Sequence, residues 1–138
     1  MHARFQFLGI IFQKFNFEFL EGKEKPFEVD INPVGFLNHK EGIFQLQLQI
    51  NITDESSFEC YVRAIADFKY DKRTKQEVLR NMFSMNSTAI VFPYMRAFVA
   101  QLTAISGYKT INIPTFNLTG LAGKLEKNMV NVNEEVAK

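Results

Sequence analysis

Two stretches of strict alternation constrain this chain more than any other feature. In FQLQLQINIT, Phe44, Leu46, Leu48, Ile50 and Ile52 alternate with Gln45, Gln47, Gln49, Asn51 and Thr53. In the next segment Phe58, Cys60, Val62, Ala64, Ala66, Phe68 and Tyr70 alternate with residues that include Glu59, Arg63, Asp67 and Lys69. A side-chain period of two marks a strand with one covered and one wet face. The intervening TDESS, residues 53–57, reads as a hairpin turn because Asp, Ser and Thr hydrogen-bond their own backbone. The rest of the chain must therefore cover an apolar sheet face.

Upstream, Phe27, Val29 and Ile31 alternate with Glu28 and Asp30 after the turn-like EGKEKP, and NHKEG at 38–42 turns that strand into the next. In the first segment Phe15, Phe17 and Phe19 alternate, whereas residues 7–12 are apolar on both parities; a long strand bulged near Gly9, or covered on both faces, is expected. Beyond Tyr70 the period changes. DKRTKQEVLRNMFSMNS places Val78, Leu79, Met82 and Phe83 at helical spacing, and MNST interrupts it, which predicts a short helix and a restart. From Ser87, the residues Val91, Met95, Phe98, Leu102 and Ile105 recur every three or four positions, widened by Phe92 and Val99, with Gly107 to end the helix. On that start Pro93 reads as a feature of the first turn, with a modest kink. Asn117 is the N-cap of a last helix carrying Leu118, Leu121 and Leu125 along one side.

Strands followed by helices define an α+β chain. The expectation is one domain over 1–138: a four-stranded antiparallel sheet in 1–71, then a long helix and a shorter C-terminal helix packed on one face in 72–130, and a frayed tail at 131–138.

Composition narrows the function. A net charge of +1, with no basic stripe, argues against nucleic acid as a partner. Pro93, Tyr94, Arg96 and Gln101 interrupt the apolar helix, leaving fewer than the ~20 continuous apolar residues of a membrane span, so no direct membrane insertion is expected. The N-terminal stretch is broken by Gln6, Gln13 and Lys14 and lacks a small-residue cleavage site. Cys60 is the lone cysteine and His2 and His39 the only histidines, so there is neither disulfide nor metal-ligand spacing, and a reducing cytoplasm fits. Cys60 falls on the covered parity as a small hydrophobe, His39 in a turn as a solvated residue, and His2 at a frayed end. With no phosphate-cradling glycine loop, nucleophile elbow or paired carboxylates, an enzyme would have to hide its site well. The surplus is phenylalanine: 15 in all, six of them in the first twenty residues. They serve either core packing or an apolar surface kept for a partner.

One stretch, AIVFPYMRAFVAQLTAISGYKTINIPTFNLTGL, resembles the SecB export-chaperone family. Phe92, Pro93, Tyr94 and Arg96 enter the helix, Gly107 follows it, then Asn112, Ile113 and Pro114, and Phe116 with Asn117 precede the last helix. FQFLGIIFQKFNFE is similar to that family's first strand, closing on Phe17 and Glu18, and FECYVRAIADF to its fourth, with Cys60 and Val62. The resemblance covers residues 4–127.

It implies a cytoplasmic, ATP-independent holdase without cofactor that binds non-native polypeptides along an apolar groove and assembles with itself as a dimer of dimers. Carried over position by position, the groove residues are Phe17, Phe19, Phe27, Leu118, Leu121 and Leu125, and the subunit contacts are Cys60, Val62, Phe98 and Leu102. Contact with the SecA motor falls on Glu18; of the family's other acidic docking positions one falls on Lys14 and one near Tyr61, and the chain is near neutral where export members are acidic. Two versions follow, export through SecA or service to a dedicated client such as an antitoxin. Two readings come from other classes: a small α+β protein binding a hydrophobic ligand in a closed pocket, and a hydrolase built on Cys60.

Overall fold

The computed structural model describes residues 4–114 and 117–132; His2 and Phe116, named above, lie outside the described residues. Strands β1 (Phe5–Phe19), β2 (Glu28–Asn38), β3 (Ile43–Thr53) and β4 (Phe58–Tyr70) form an antiparallel set, and β5 (Met129–Asn131) adds a short parallel strand. The spatial order is β1-β4-β3-β2-β5. Register follows the alternation: Phe44 stands opposite Phe68, Leu46 opposite Ala66, Leu48 opposite Ala64, Ile50 opposite Val62 and Ile52 opposite Cys60. Ten apolar side chains thus share one face, and all are buried. The glutamines share the other face.

The apolar run on both parities in β1 has a physical explanation. The register slips between Phe7 and Gly9, as expected, and again between Phe12 and Lys14. Each bulge shifts the parity by one. Phe5, Phe7, Ile10, Phe12, Phe15, Phe17 and Phe19 therefore pair with the inward residues of β4 and line a single face. Gly9, at φ +148°, supplies a backbone conformation that other residues rarely adopt.

The expected break after the first helix does not occur. Helix α1 (Gln76–Asn81) continues through a π-helical turn, Met82–Asn86, into α2 (Ser87–Ile105), giving 30 helical residues without interruption. The Ser and Thr of MNST turn their hydroxyls back onto the helix, Ser87 Oγ donating to the Phe83 carbonyl and Thr88 Oγ1 to the Ser84 carbonyl at 2.9 Å, and Ser84 Oγ just before them donates to the Arg80 carbonyl at 2.8 Å. Such back-bonding satisfies the hydroxyls in place while loosening the regular ladder. Pro93 consequently lies in the helix interior and not in a first turn. The carbonyl it leaves without a backbone donor belongs to Ala89, an exposed residue that water can reach. By length and composition this helix would be able to cross a membrane; here Val91, Phe92, Met95 and Val99 are buried in the core beside the sheet. Ile105, expected on that stripe, is 84% exposed.

The helix runs along β1, joined to the sheet by rings. Phe83 stacks on Phe44 at 4.7 Å between centroids and meets Tyr70 edge-on at 4.9 Å. Tyr94 reaches Phe7 at 5.6 Å, and Phe98 stacks on Phe12 at 4.0 Å. Much of the phenylalanine surplus is this seam.

Helix α3 (Leu118–Lys127) starts as expected, with the Asn117 side chain accepting from the Thr119 and Gly120 amides. The sheet has five strands and not four, because the chain after α3 does not fray at once: β5 pairs with Gly35–Leu37 of β2, and the Val132 amide donates to the Leu37 carbonyl at 2.8 Å. The remainder of the expected tail, 133–138, lies outside the described residues.

Gly35 permits that approach, since a Cβ there would come within 2.5 Å of Met129 Sδ and 2.9 Å of a Phe44 ring carbon. We predict that Gly35→Ala destabilises the fold by about 1–3 kcal/mol through overpacking. Gly123→Ala, which meets nothing within 4 Å, should stabilise α3 by up to about 1 kcal/mol. Urea midpoints of the two variants should move in opposite directions.

Candidate functional site

At the end of the sheet where β1 stops, the crossover 20–27 returns past the β3–β4 hairpin and the chain leaving α2 passes beside it. Between them lies a groove of about 420 Å³ bounded by Lys25, Pro26 and Phe27 on one side, Tyr108 to Ile111 on the other, and floored by Phe58. Gly107, at φ +89°, turns the backbone so that Tyr108 falls back onto the strands. Its ring lies 5.4 Å from Phe17, 5.0 Å from Phe19 and 5.4 Å from Phe58. Phe27 meets Phe58 edge-on at 6.2 Å. Phe19 is 58% exposed, and Phe17, Phe27 and Tyr108 are half-buried. The site is a shallow aromatic trough open to solvent.

The walls are held by polar contacts. The Ile111 amide donates to Thr103 Oγ1 at 2.9 Å, anchoring the loop after α2. The Leu20 and Gly22 amides donate to the Ser57 and Ser56 carbonyls at 2.8 and 2.9 Å, which lays the start of the crossover against the hairpin turn. Lys109 and Glu24 form an exposed ion pair across the mouth.

Of the residues expected in the groove, Phe17, Phe19 and Phe27 come together there. Leu118 is half-buried against the core, whereas Leu121 and Leu125, at 7% and 0% exposure, hold α3 onto the sheet and leave no surface for a ligand. The same correction applies to two expected subunit contacts: Cys60 and Val62 are buried by this chain's own side chains. Phe98 stacks on Phe12, and Leu102 is half-buried. Glu18 is exposed and faces away from the trough, opposite Glu59. Phe58 and Tyr108 were not singled out from the sequence; the signals for them were the Gly107–Tyr108 helix stop and the inward parity of Phe58. His39 is not simply solvated, since its Nδ1 lies 2.8 Å from the Tyr70 hydroxyl. Among the described residues no three His, Cys, Asp or Glu side chains group to hold a metal ion.

Burial pushes the Cys60 thiol up to about 11. It is therefore almost wholly protonated at neutral pH and shielded. Iodoacetamide at pH 8 should label it at the rate of global unfolding and quickly in urea; rapid labelling of the native protein would revive a nucleophilic cysteine.

The family described as SecB, preprotein translocase subunit SecB, matches residues 13–127. The chain is similar to the protein-export protein SecB of Anaplasma phagocytophilum, 26% identical over 90 residues that make up 59% of this chain and 56% of that protein. It is also similar to an uncharacterized protein of Methanocaldococcus jannaschii, 33% identical over 49 residues, 36% of this chain and 32% of that one. The chain thus spans about a third and somewhat over half of these relatives' lengths. Among solved structures, a Mycobacterium tuberculosis SecB-like chaperone in complex with an antitoxin peptide superposes with a TM-score of 0.69 at 13% identity, covering 83% of this chain and 88% of that one. A Streptococcus agalactiae protein of unknown function gives 0.50 at 9% identity, covering 83% and 100%. At such identities the likeness is one of fold.

Proposed function

The chain belongs to the SecB family, and on that premise we propose that it is a non-enzymatic, ATP-independent chaperone of the cytoplasm that holds non-native polypeptides in the aromatic trough. The observation that carries this reading is an open cluster of rings with Phe19 more than half exposed. A folded client hides its apolar side chains; an unfolded one exposes them, and a flat aromatic surface accepts them with little demand on sequence. Several such troughs on one assembly would give avidity from weak contacts. The open shape of the trough favours this over a closed pocket for a small hydrophobic ligand.

For the downstream step two versions stand. Handover to SecA would use the open sheet face at Glu18, beside Glu59. A dedicated client without SecA is favoured by Lys14, which stands opposite Arg63 and lies 5.9 Å over the Tyr61 ring. At the positions that resemble the family's acidic docking sites, this face therefore presents a cation and its aromatic partner. The M. tuberculosis chaperone bound to an antitoxin peptide has the same fold, in keeping with that version.

Reduced and alkylated α-lactalbumin serves as a permanently unfolded probe. The protein should bind it and suppress aggregation of a denatured client at stoichiometric amounts, and Phe19→Ser should weaken binding several-fold with little change in melting temperature, because an exposed ring contributes to contact more than to packing. A wild-type protein that binds no unfolded chain would end this reading.

Self-association, as a dimer of dimers, is part of the proposal. The two sheet edges differ. The β2 edge is blocked: Lys124 Nζ donates to the Ile31 carbonyl at 2.6 Å, Asn128 Nδ2 to the Pro33 carbonyl at 3.2 Å, Pro33 has no N–H, and β5 covers Gly35–Leu37. Among the described residues the 15-residue β1 pairs with β4 alone in the sheet. Ile11 and Phe15 on β1 are 68% and 51% exposed, and Ile105 at the end of α2 is 84% exposed. A second copy of β1 would complete this edge, and the exposed side of α2 would meet other copies. Phe15→Glu combined with Ile105→Glu should shift the sedimentation mass towards the monomer; a wild-type protein that is already monomeric would remove the assembly.

A further inference from the structure

Asp54 is buried, at 4% exposure, at the turn between β3 and β4. A buried carboxylate is costly unless it is hydrogen-bonded, and this one accepts on both oxygens, with the work divided between them. Oδ1 takes the amides of Ser56, Ser57 and Phe58 at 2.8, 2.6 and 3.2 Å, which closes the hairpin turn. Oδ2 takes the Ser57 hydroxyl and, from a segment 29 residues away in the chain, the Lys25 amide at 3.1 Å. Closing such a turn needs only one acceptor, which Asn or Ser supplies as well as Asp. The second oxygen serves the crossover.

That contact lies close to the trough. Lys25 precedes Phe27 by two residues, while the backbone bonds of Leu20 and Gly22 hold only the start of the crossover, and the Glu24–Lys109 pair is exposed, where such pairs contribute little. On the opposite wall the Ser57 hydroxyl stands 3.3 Å from the Tyr108 hydroxyl. One carboxylate therefore joins the backbone before Phe27, the turn above Phe58, and the ring of Tyr108. We propose that Asp54 is a positioning residue of the trough, holding the crossover and Tyr108 in the arrangement that accepts a client side chain; this rests on the chaperone reading above. Burial raises its carboxyl, but the hydrogen bonds from the Ser57 hydroxyl and from the Ser57, Ser56 and Lys25 amides outweigh burial and hold it well below the usual carboxylate range. The acceptor accordingly stays charged under all conditions in which the protein would bind clients.

Asp54→Asn separates the two duties. Its carbonyl oxygen can keep the three turn amides, which places the amide NH2 against the Lys25 N–H, donor facing donor. Lys25→Pro deletes the same donor and leaves the turn untouched. In both variants amide exchange across residues 20–27 should accelerate, in Asp54→Asn most of all at Lys25, whose amide loses its acceptor, while β3 and β4 keep their protection. Affinity for reduced and alkylated α-lactalbumin should fall about tenfold, the loss expected when only a tenth of the molecules hold the competent arrangement. Unchanged affinity despite accelerated exchange in either variant overturns the positioning role, as does unchanged exchange. A wild-type protein that fails to bind the probe instead removes the chaperone reading itself, and this is seen before any variant is made.

Discussion

The aromatic seam that joins the 30-residue helix, and the loop that follows it, to the sheet is the contact on which the remaining structure depends. Phe83 lies on Phe44 and Tyr70, Tyr94 on Phe7, Phe98 on Phe12, and Tyr108 on Phe17 and Phe58. Each such ring pair contributes about 0.5–1.5 kcal/mol beyond the area it buries, and the contacts are spread along the full length of β1. The two bulges keep the rings of β1 on the helical side across 15 residues, which a regular strand of this sequence would not do. The trough is the last step of the seam, where the helix has ended and the rings are no longer fully covered.

Core and trough are therefore made of the same side chains at different degrees of cover. Phe68, deep under the helix, has no exposed surface, and Phe19, two residues past Phe17 at the strand end, has more than half. What keeps the open end from collapsing into the core is polar: the buried Asp54 with its amide donors, Thr103 Oγ1 under the loop after α2, and backbone bonds from the crossover to the hairpin. Directional bonds set how far apart the walls stand, because apolar contact alone has no preferred opening.

Much of the architecture was legible because it depends on short-range pattern. The alternation in 44–53 and 58–70 specified β3 and β4 and their inward faces, the double parity of 7–12 pointed to a bulge near Gly9, and Asn117 marked the start of α3. Misreadings arose where hydrogen-bond or packing partners that the pattern does not show changed the local preference. Ser87 and Thr88 of MNST read as part of a helix break, yet their hydroxyls, like that of Ser84, found carbonyls one turn back and the helix ran on. That continuity moved Pro93 from a first turn into a helix interior. β5 has no strand pattern of its own; it exists because Gly35 leaves room for Met129 beside β2. In the trough, Phe17, Phe19 and Phe27 were legible, while Phe58 and Tyr108 join them only through the fold, and Leu121 and Leu125 withdraw into the core.

The sequence by itself determined the secondary-structure class, the wet and covered sheet faces, the excess of aromatic side chains and the membership of the SecB family, since all of these reside in periodicity and local motif. Only the tertiary structure decided which rings are covered and which remain open, which sheet edge is blocked, and that one buried carboxylate ties the hairpin to the crossover. Those outcomes depend on contacts between residues tens of positions apart, and pattern along the chain carries no information about their distance in space.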